Sequence, residues 1–167
     1  MNIYQIFTRL YGACQPAKNL PNGTIADNGV AKFNEFTADT LQRIKDYGFT
    51  HVWFTGVLEH ATQTNYTRYG IHLDHPWIVK GRAGSPYAIK DYFDVDPDLA
   101  EDVPNRMAEF EALLERTHKA GLKFVIDFVP NHVARSYHSD AAPKGFEDLG
   151  AGDDEELAFT PRNNFYY

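Results

Sequence analysis

The run Leu122-Lys-Phe-Val-Ile-Asp-Phe-Val-Pro-Asn-His132 decides the fold. Phe124, Val125 and Ile126 form a short continuous apolar stretch behind Gly121 and ahead of Pro130. Continuous rather than alternating apolar character is what a parallel strand buried on both faces requires, and it predicts a strand over Lys123–Val129. A carboxylate inside such a strand is costly to bury unless it is hydrogen-bonded, so Asp127 implies a polar site at the strand's end. Asn131 and His132 add an amide oxygen and an imidazole, groups that can serve a hard cation and the hydroxyls of a ligand. On the residues alone, a capped strand end with a hydrogen-bonded histidine explains the run equally well.

Two earlier strands are predicted at Ile3–Phe7 and His51–Thr55, the latter carrying the apolar run Val52, Trp53 and Phe54. Between the three strands lie two helical patterns. One spans 37–47, with Leu41 and Ile44 on one stripe, Thr37 as N-cap and Gly48 in the left-handed C′ position. The other spans 104–120, with Pro104 in the first turn, Met107, Phe110, Leu113 and Leu114 at helical spacing, and Gly121 as the stop. The order is β-α-β-α-β, which denotes α/β architecture. Helix-to-strand links are two or three residues, whereas the links leaving the strands' carboxyl ends are long, over 8–36 and 56–103. Loops of that length are uncommon unless functional, and the carboxyl ends of parallel strands are where ligands bind in open sheets and eight-stranded barrels alike. The chain after Asn131, with Gly145, Gly150, Gly152 and the acidic run 153–156, forms a third such loop with no further strand signal.

Sixteen Lys plus Arg against 23 Asp plus Glu among 167 residues give a net charge of −7, which offers no basic field for nucleic acid. Apolar residues at 43% and aromatics at 14% exclude an intrinsically disordered chain. A single cysteine, Cys14, excludes an internal disulfide or a Cys-x-x-Cys metal site and reads as a small residue at a loop edge. The amino terminus lacks the features of a signal peptide and no stretch approaches the ~18 apolar residues of a membrane span, so no membrane partner and a cytoplasmic location are expected. Trp53, inside a strand, is expected in the core. His60, His72 and His75, without a regular frame, are expected to be solvated or hydrogen-bonded rather than ligating. Asp94, Asp96 and Asp98 imitate the start of an EF-hand, but Leu99 and Asn105 stand where its glycine and glutamate belong, leaving a solvated acidic turn as the expectation.

The segment Asp127-Phe-Val-Pro-Asn131-His132 resembles the third-strand motif Asp-x-x-x-Asn-His of the alpha-amylase superfamily of glycoside hydrolases. Three further segments agree in order. Ile3–Phe7 is similar to that family's first strand, Asp46–Trp53 to the run into its second, and Ser85–Pro97 to the stretch holding a Gly-Tyr-Asp triplet, here Pro86-Tyr87-Ala88. The resemblance covers about Asn2 to His138. It implies that Tyr87 stacks on the sugar next to the scissile bond, that His132 binds that sugar's hydroxyls, that Asp127 is a supporting acid, and that Asn131 is a ligand of the calcium found in many members. A sugar ring has an apolar face and a polar rim, so flat aromatics beside hydroxyl-binding groups suit it. Of the aromatics in the second loop (Tyr66, Tyr69, Trp77, Tyr87, Tyr92, Phe93), Tyr87 alone is singled out.

The implied fold is the amino-terminal β-α-β-α-β portion of a (β/α)8 TIM barrel with long βα loops, residues 1–132 giving its first three βα units and 133–167 the start of a long loop or small domain inserted after the third strand. The implied activity is that of a retaining alpha-glucan hydrolase or transglycosylase acting on alpha-glucan or maltooligosaccharide. Glycoside hydrolysis needs a pair of carboxylic groups. The family takes them from its fourth, fifth and seventh strands, so no catalytic residue is expected within this chain, which by itself is expected to be inactive. A complete barrel takes ~250 residues, and three strands leave open edges that invite self-association. The alternative is a noncatalytic half-barrel that self-associates and binds sugar weakly or not at all.

Overall fold

A computed structural model describes residues 1–12, 18 and 20–167; Cys14 lies outside the described residues. Five strands form, β1 (Ile3–Phe7), β2 (His51–Thr55), β3 (Leu58–His60), β4 (Ile89–Val95) and β5 (Lys123–Ile126), with three helices, α1 (Ile25–Asn28), α2 (Ala38–Asp46) and α3 (Arg106–Lys119). The predicted β-α-β-α-β order is present: β1, β2 and β5 make a parallel sheet in the order β1-β2-β5, with Ile3 opposite His51 and His51 opposite Lys123. α2 and α3 return the chain between consecutive strands, as parallel pairing demands.

Alternation along the strands divides the sheet into two unlike faces. Tyr4, Ile6, Val52, Phe54 and Phe124 share a core with Leu41 and Ile44 of α2 and Leu113 of α3. Phe54 sits at its centre, fully buried, edge-on to Phe36 at 5.2 Å and stacked on Phe124 at 4.5 Å. Phe110 then meets Phe124 edge-on at 5.6 Å, which joins α3 to the same aromatic row. On the opposite face, Ile3 and Phe7 are exposed. Burial on both faces, expected from the continuous apolar runs, therefore holds for one face only among the described residues. Trp53, expected in the core, is half-buried. It lies on the open face because strand alternation places it opposite Gln5 and Val125.

Local signals set the helix ends. The Thr37 hydroxyl accepts from the Thr40 backbone N–H at 3.3 Å, Arg43 and Lys45 occupy the last turn of α2, and Gly48 follows at φ +90°. α3 starts two residues later than the predicted 104, because Pro104 lies in a 3-10 turn at Val103–Asn105. Leu113 and Thr117 face the core while Met107, expected on the apolar stripe, is exposed. β5 stops at Ile126 rather than Val129, where the Asp127 carboxylate turns back towards β2 and Pro130 lacks a ladder donor. From Asp127 to Tyr167 turns and irregular chain follow, with no helix or strand.

The second long loop contains structure that hydrophobic pattern did not forecast. β3 and β4 pair antiparallel, with register shifts on both sides of Glu59. Their ribbon rests on buried charge. Lys90 is 1% exposed, and its ammonium lies 3.2 Å from Asp74 and 3.7 Å from Glu59 and donates to the His72 carbonyl. The expected solvated acidic turn is instead interior: Asp94, Asp96 and Asp98 are all buried. Partners offset much of the burial, although Asp96 Oδ2 makes no hydrogen bond. The Arg106 guanidinium grips Asp94 through Nε and Nη2, Asp96 lies 3.5 Å from His60 and accepts from the Asp98 N–H, and Asp98 accepts the Tyr66 hydroxyl at 2.6 Å. Burial raises the Asp96 carboxyl, against the attraction of His60. Burial also pushes Glu59 up to about 8, with Lys90 opposing and the carboxylates of Asp94 and Asp91 adding to the rise.

Two outcomes follow from these interiors. Phe54→Ala is expected to destabilise the fold by about 3–5 kcal/mol in urea unfolding, since it empties the middle of the aromatic row. Glu59 holds its proton more tightly folded than unfolded, so its contribution is unfavourable above the ordinary value of 4.5 and grows until pH reaches about 8. Relative to wild type, Glu59→Gln should therefore gain stability as pH rises from 5 to 8, by at most about 1.4 kcal/mol per pH unit. Identical pH dependence in the two proteins would show that Glu59 ionises normally.

Candidate functional site at the strand ends

The carboxyl ends of β1, β2 and β5 carry two clefts, and the loops that wall them are fixed by identifiable contacts. The Arg9 guanidinium, directly after β1, donates to the carbonyls of Ala83 at 3.0 Å and Gly84 at 3.2 Å and meets the His60 Nε2. Gly84 has φ +74°, and a Cβ there would lie 1.7 Å from the Ala61 carbonyl oxygen, so backbone passes where no side chain fits. Gly56, at φ +78° just beyond β2, makes room for Pro86, which a Cβ would meet at 2.7 Å. These approaches bring Ser85, Pro86 and Tyr87 over the end of the sheet.

The first cleft, about 750 Å³, is lined by Gln5, Phe7, Thr55, Lys80, Pro86 and Tyr87 among others. Tyr87 is 46% exposed, and its backbone N–H donates to the Ser85 hydroxyl. Gln5 donates to the Thr55 hydroxyl at 3.0 Å, which fixes the polar floor. Flat aromatic surface beside an amide, a hydroxyl and an ammonium is chemically suited to a ring with one apolar face and many hydroxyls.

The second cleft, about 500 Å³, holds Asn131 and His132 with Tyr92, Phe128, Tyr137 and Phe146. Tyr92 donates its hydroxyl to the Val129 carbonyl, and burial raises the phenols of both Tyr92 and Tyr137, so they stay protonated donors. Asn131 lies 3.3 Å from His132 Nδ1 through its side-chain amide. Tyr87 and His132, expected to flank one sugar, thus line separate clefts. Asp127 lines neither. Its carboxylate accepts from Trp53 Nε1 at 2.6 Å and from the Gly56 N–H at 3.0 Å, tying the end of β5 to the end of β2.

A calcium ion takes six to eight oxygens, carboxylates prominent among them. No carboxylate lines the cleft around Asn131, so the described residues alone do not fit such an ion there. The loop histidines separate: His60 is buried beside Asp96, His75 accepts from the Trp77 N–H, and His72 meets the chain after β5. Residues that sequence reasoning missed are Gln5 and Thr55, Tyr92 and Tyr137. For the first pair, the signal was available in position, as polar residues near the ends of otherwise apolar strands. For the tyrosines there was none, because ring-rich loops do not reveal which rings meet.

Among the described residues, no helix is long and apolar enough to cross a membrane. The family model described as the alpha amylase catalytic domain matches residues 36–147. Maltase 1 of Drosophila virilis is 31% identical over 132 residues, covering 74% of this chain and 17% of the maltase. A cyclomaltodextrin glucanotransferase of Niallia circulans is 26% identical over 150 residues, covering 84% and 19%. The chain thus spans between 11% and 20% of the length of the curated relatives it matches. Among solved structures, an alpha-amylase from Lactobacillus plantarum superposes with TM-score 0.52 at 30% identity, over 81% of this chain and 24% of that one. An alpha-amylase from Geobacillus thermoleovorans complexed with acarbose shares the fold with TM-score 0.55 at 24% identity, over the same shares. Clefts at the carboxyl ends of parallel strands agree with the TIM-barrel fold of these neighbours, and with its catalytic-domain model matched across two thirds of its residues, the chain belongs to the alpha-amylase family of alpha-glucan-active hydrolases and transferases.

Proposed function

We propose that residues 1–132 supply the first three βα units of the catalytic barrel of a retaining alpha-glucan hydrolase or transglycosylase, and that residues 133–167 begin a long loop or small domain inserted after the third strand. The observation that carries this reading is the family match over 36–147, which includes both Tyr87 and the Asp127–His132 run. The open face of the sheet, where Ile3 and Phe7 are exposed and Trp53 is half-buried, is the face that further strands of a barrel would enclose. The substrate class is suggested by relatives that include maltases and cyclomaltodextrin glucanotransferases, and by a neighbour complexed with acarbose.

In this reading Tyr87 stacks on the apolar face of a glucose unit and His132 donates to its hydroxyls, while Asp127 holds the strand ends in register beneath them. These groups bind and orient. The acid and the nucleophile, which lie across the sugar in retaining enzymes, come from strands beyond these residues. The two clefts described above would then join over the sheet only when substrate and the later strands are present. A calcium ion held in part by Asn131 would take its remaining oxygens from outside these residues. Alone, the 167 residues would be inactive. With β1 and β5 each paired on one side only, they would self-associate.

With the intact protein acting on a maltooligosaccharide, Tyr87→Ala should lower kcat/KM by about ten- to a hundredfold and His132→Ala by about tenfold. The 167-residue chain should show no turnover and should elute larger than a monomer. Unchanged kcat/KM in both variants would remove these residues from the substrate site. An intact protein without activity on any alpha-linked glucan would favour the noncatalytic alternative, and turnover by the 167 residues alone would place the carboxylate pair within them.

A further inference from the structure

The loop between β3 and β4 and the chain after β5 meet at imidazoles and carboxylates that play no part in the proposed reaction. His72 comes from the first segment; His138, Asp140 and Asp148 come from the second. One nitrogen of each ring faces the same carboxylate. His72 Nδ1 lies 3.2 Å from Asp140 Oδ2, and His138 Nε2 lies 3.6 Å from Asp140 Oδ1. The other nitrogen of each ring is engaged elsewhere, His72 Nε2 with the Ser136 carbonyl at 3.0 Å and His138 Nδ1 with Asp148 Oδ2 at 2.6 Å.

Those outer partners assign the protons. A carbonyl and an ionised carboxylate only accept, so His72 carries its hydrogen on Nε2 and His138 on Nδ1. In neutral imidazoles the inner nitrogens then present lone pairs, and both point at Asp140, whose oxygens also only accept. Each inner nitrogen then faces an Asp140 oxygen with no ring hydrogen between them, His72 Nδ1 at Oδ2 and His138 Nε2 at Oδ1. With the ring hydrogens on the outer nitrogens, the one hydrogen bond that this carboxylate accepts among the described residues comes from the His72 backbone N–H at 3.1 Å, and a cation between rings and carboxylate would relieve both contacts. Among the described residues no lysine or arginine forms an ion pair with Asp140 or Asp148.

The geometry favours a metal ion. Outer N–H groups held by a carbonyl and a carboxylate are the arrangement that fixes ring orientation and raises ligand basicity in histidine metal sites. Donor atoms of His72, His138 and Asp140 all lie within 4.8 Å of one another, and each ring nitrogen lies at 3.2 or 3.6 Å from one oxygen of the Asp140 carboxylate, close to the ~3.4 Å between ligands of a tetrahedral zinc ion. The side chain of His138 is 57% exposed, which gives the ion a path in and leaves a coordination position to water. We propose that His72, His138 and Asp140 bind a zinc-class divalent transition metal, with Ser136 and Asp148 orienting the rings. The ion would clasp the chain after β5 to the β3–β4 loop. Tyr137 and Leu149, which line the second cleft, adjoin His138 and Asp148 in sequence, so the clasp would stiffen that wall.

The test uses the intact protein, stripped with a chelator and titrated with zinc chloride alone against a chromophoric competitor. One equivalent of tightly bound zinc is expected. Affinity should fall at least a hundredfold in His72→Ala and His138→Ala and about 10- to 100-fold in Asp148→Asn, and stay unchanged in His75→Ala. His72→Gln and His138→Gln repeat the comparison if the alanine variants do not fold, with circular dichroism as the control. Cobalt(II) added to the unmutated protein should give the intense visible bands of four-coordination, a readout independent of any variant. Absence of stoichiometric uptake, faint six-coordinate cobalt bands, or uptake undiminished in folded His72 and His138 variants would overturn the assignment.

Discussion

The packing of Phe54, edge-on to Phe36 and stacked on Phe124, is the contact on which the other parts of this chain depend. Parallel strands cannot be joined by a tight turn, so β1, β2 and β5 come together only if the intervening chain packs back across the sheet. The aromatic row supplies that packing. Phe54 belongs to the central strand, Phe36 to the segment leading into α2, and Phe124 to the third strand, with Phe110 bringing in α3. Because this layer fixes which way the strands run, it also fixes where their carboxyl ends lie, and with them the loops that form both clefts.

Much of this was legible in sequence because it rests on local or periodic signals. Val52 to Phe54 and Phe124 to Ile126 announced strands, and Thr37, Gly48 and Gly121 marked helix boundaries. The β3–β4 ribbon was not legible, since Lys90, Asp91 and Asp94 interrupt any apolar alternation. Charges in β4 are compensated by residues distant in sequence, such as Asp74 for Lys90 and Arg106 for Asp94, and pairing of that kind leaves no periodic trace. The same reason explains why Asp94, Asp96 and Asp98 look like a solvated turn in one dimension and are interior in three. Trp53 misleads in the opposite sense: it sits in an apolar run but on the face that the described residues leave open.

For the candidate site, residue identity was more readable than residue proximity. Asp127, Asn131 and His132 stand at the strand end, as their spacing required, yet Asp127 serves as a clamp between β5 and β2, and His132 shares a cleft with Tyr92 and Tyr137 rather than with Tyr87. Two rigid scaffolds are joined here. One is the apolar sheet and helix layer; the other is the ionic interior beneath the β3–β4 ribbon, anchored to the first through Arg9 and the carbonyls of Ala83 and Gly84.

The parallel register has a consequence for the order of events at the ribosome. β1 and β2 are separated by about fifty residues, and β2 and β5 by about seventy, so each pairing waits several seconds for its partner at ordinary elongation rates. The apolar strand near the start of the chain must remain unpaired through that interval, and β2 stays without α3 and β5 for longer still. The delay before pairing is thus written into the spacing of the strands rather than into their stability once paired.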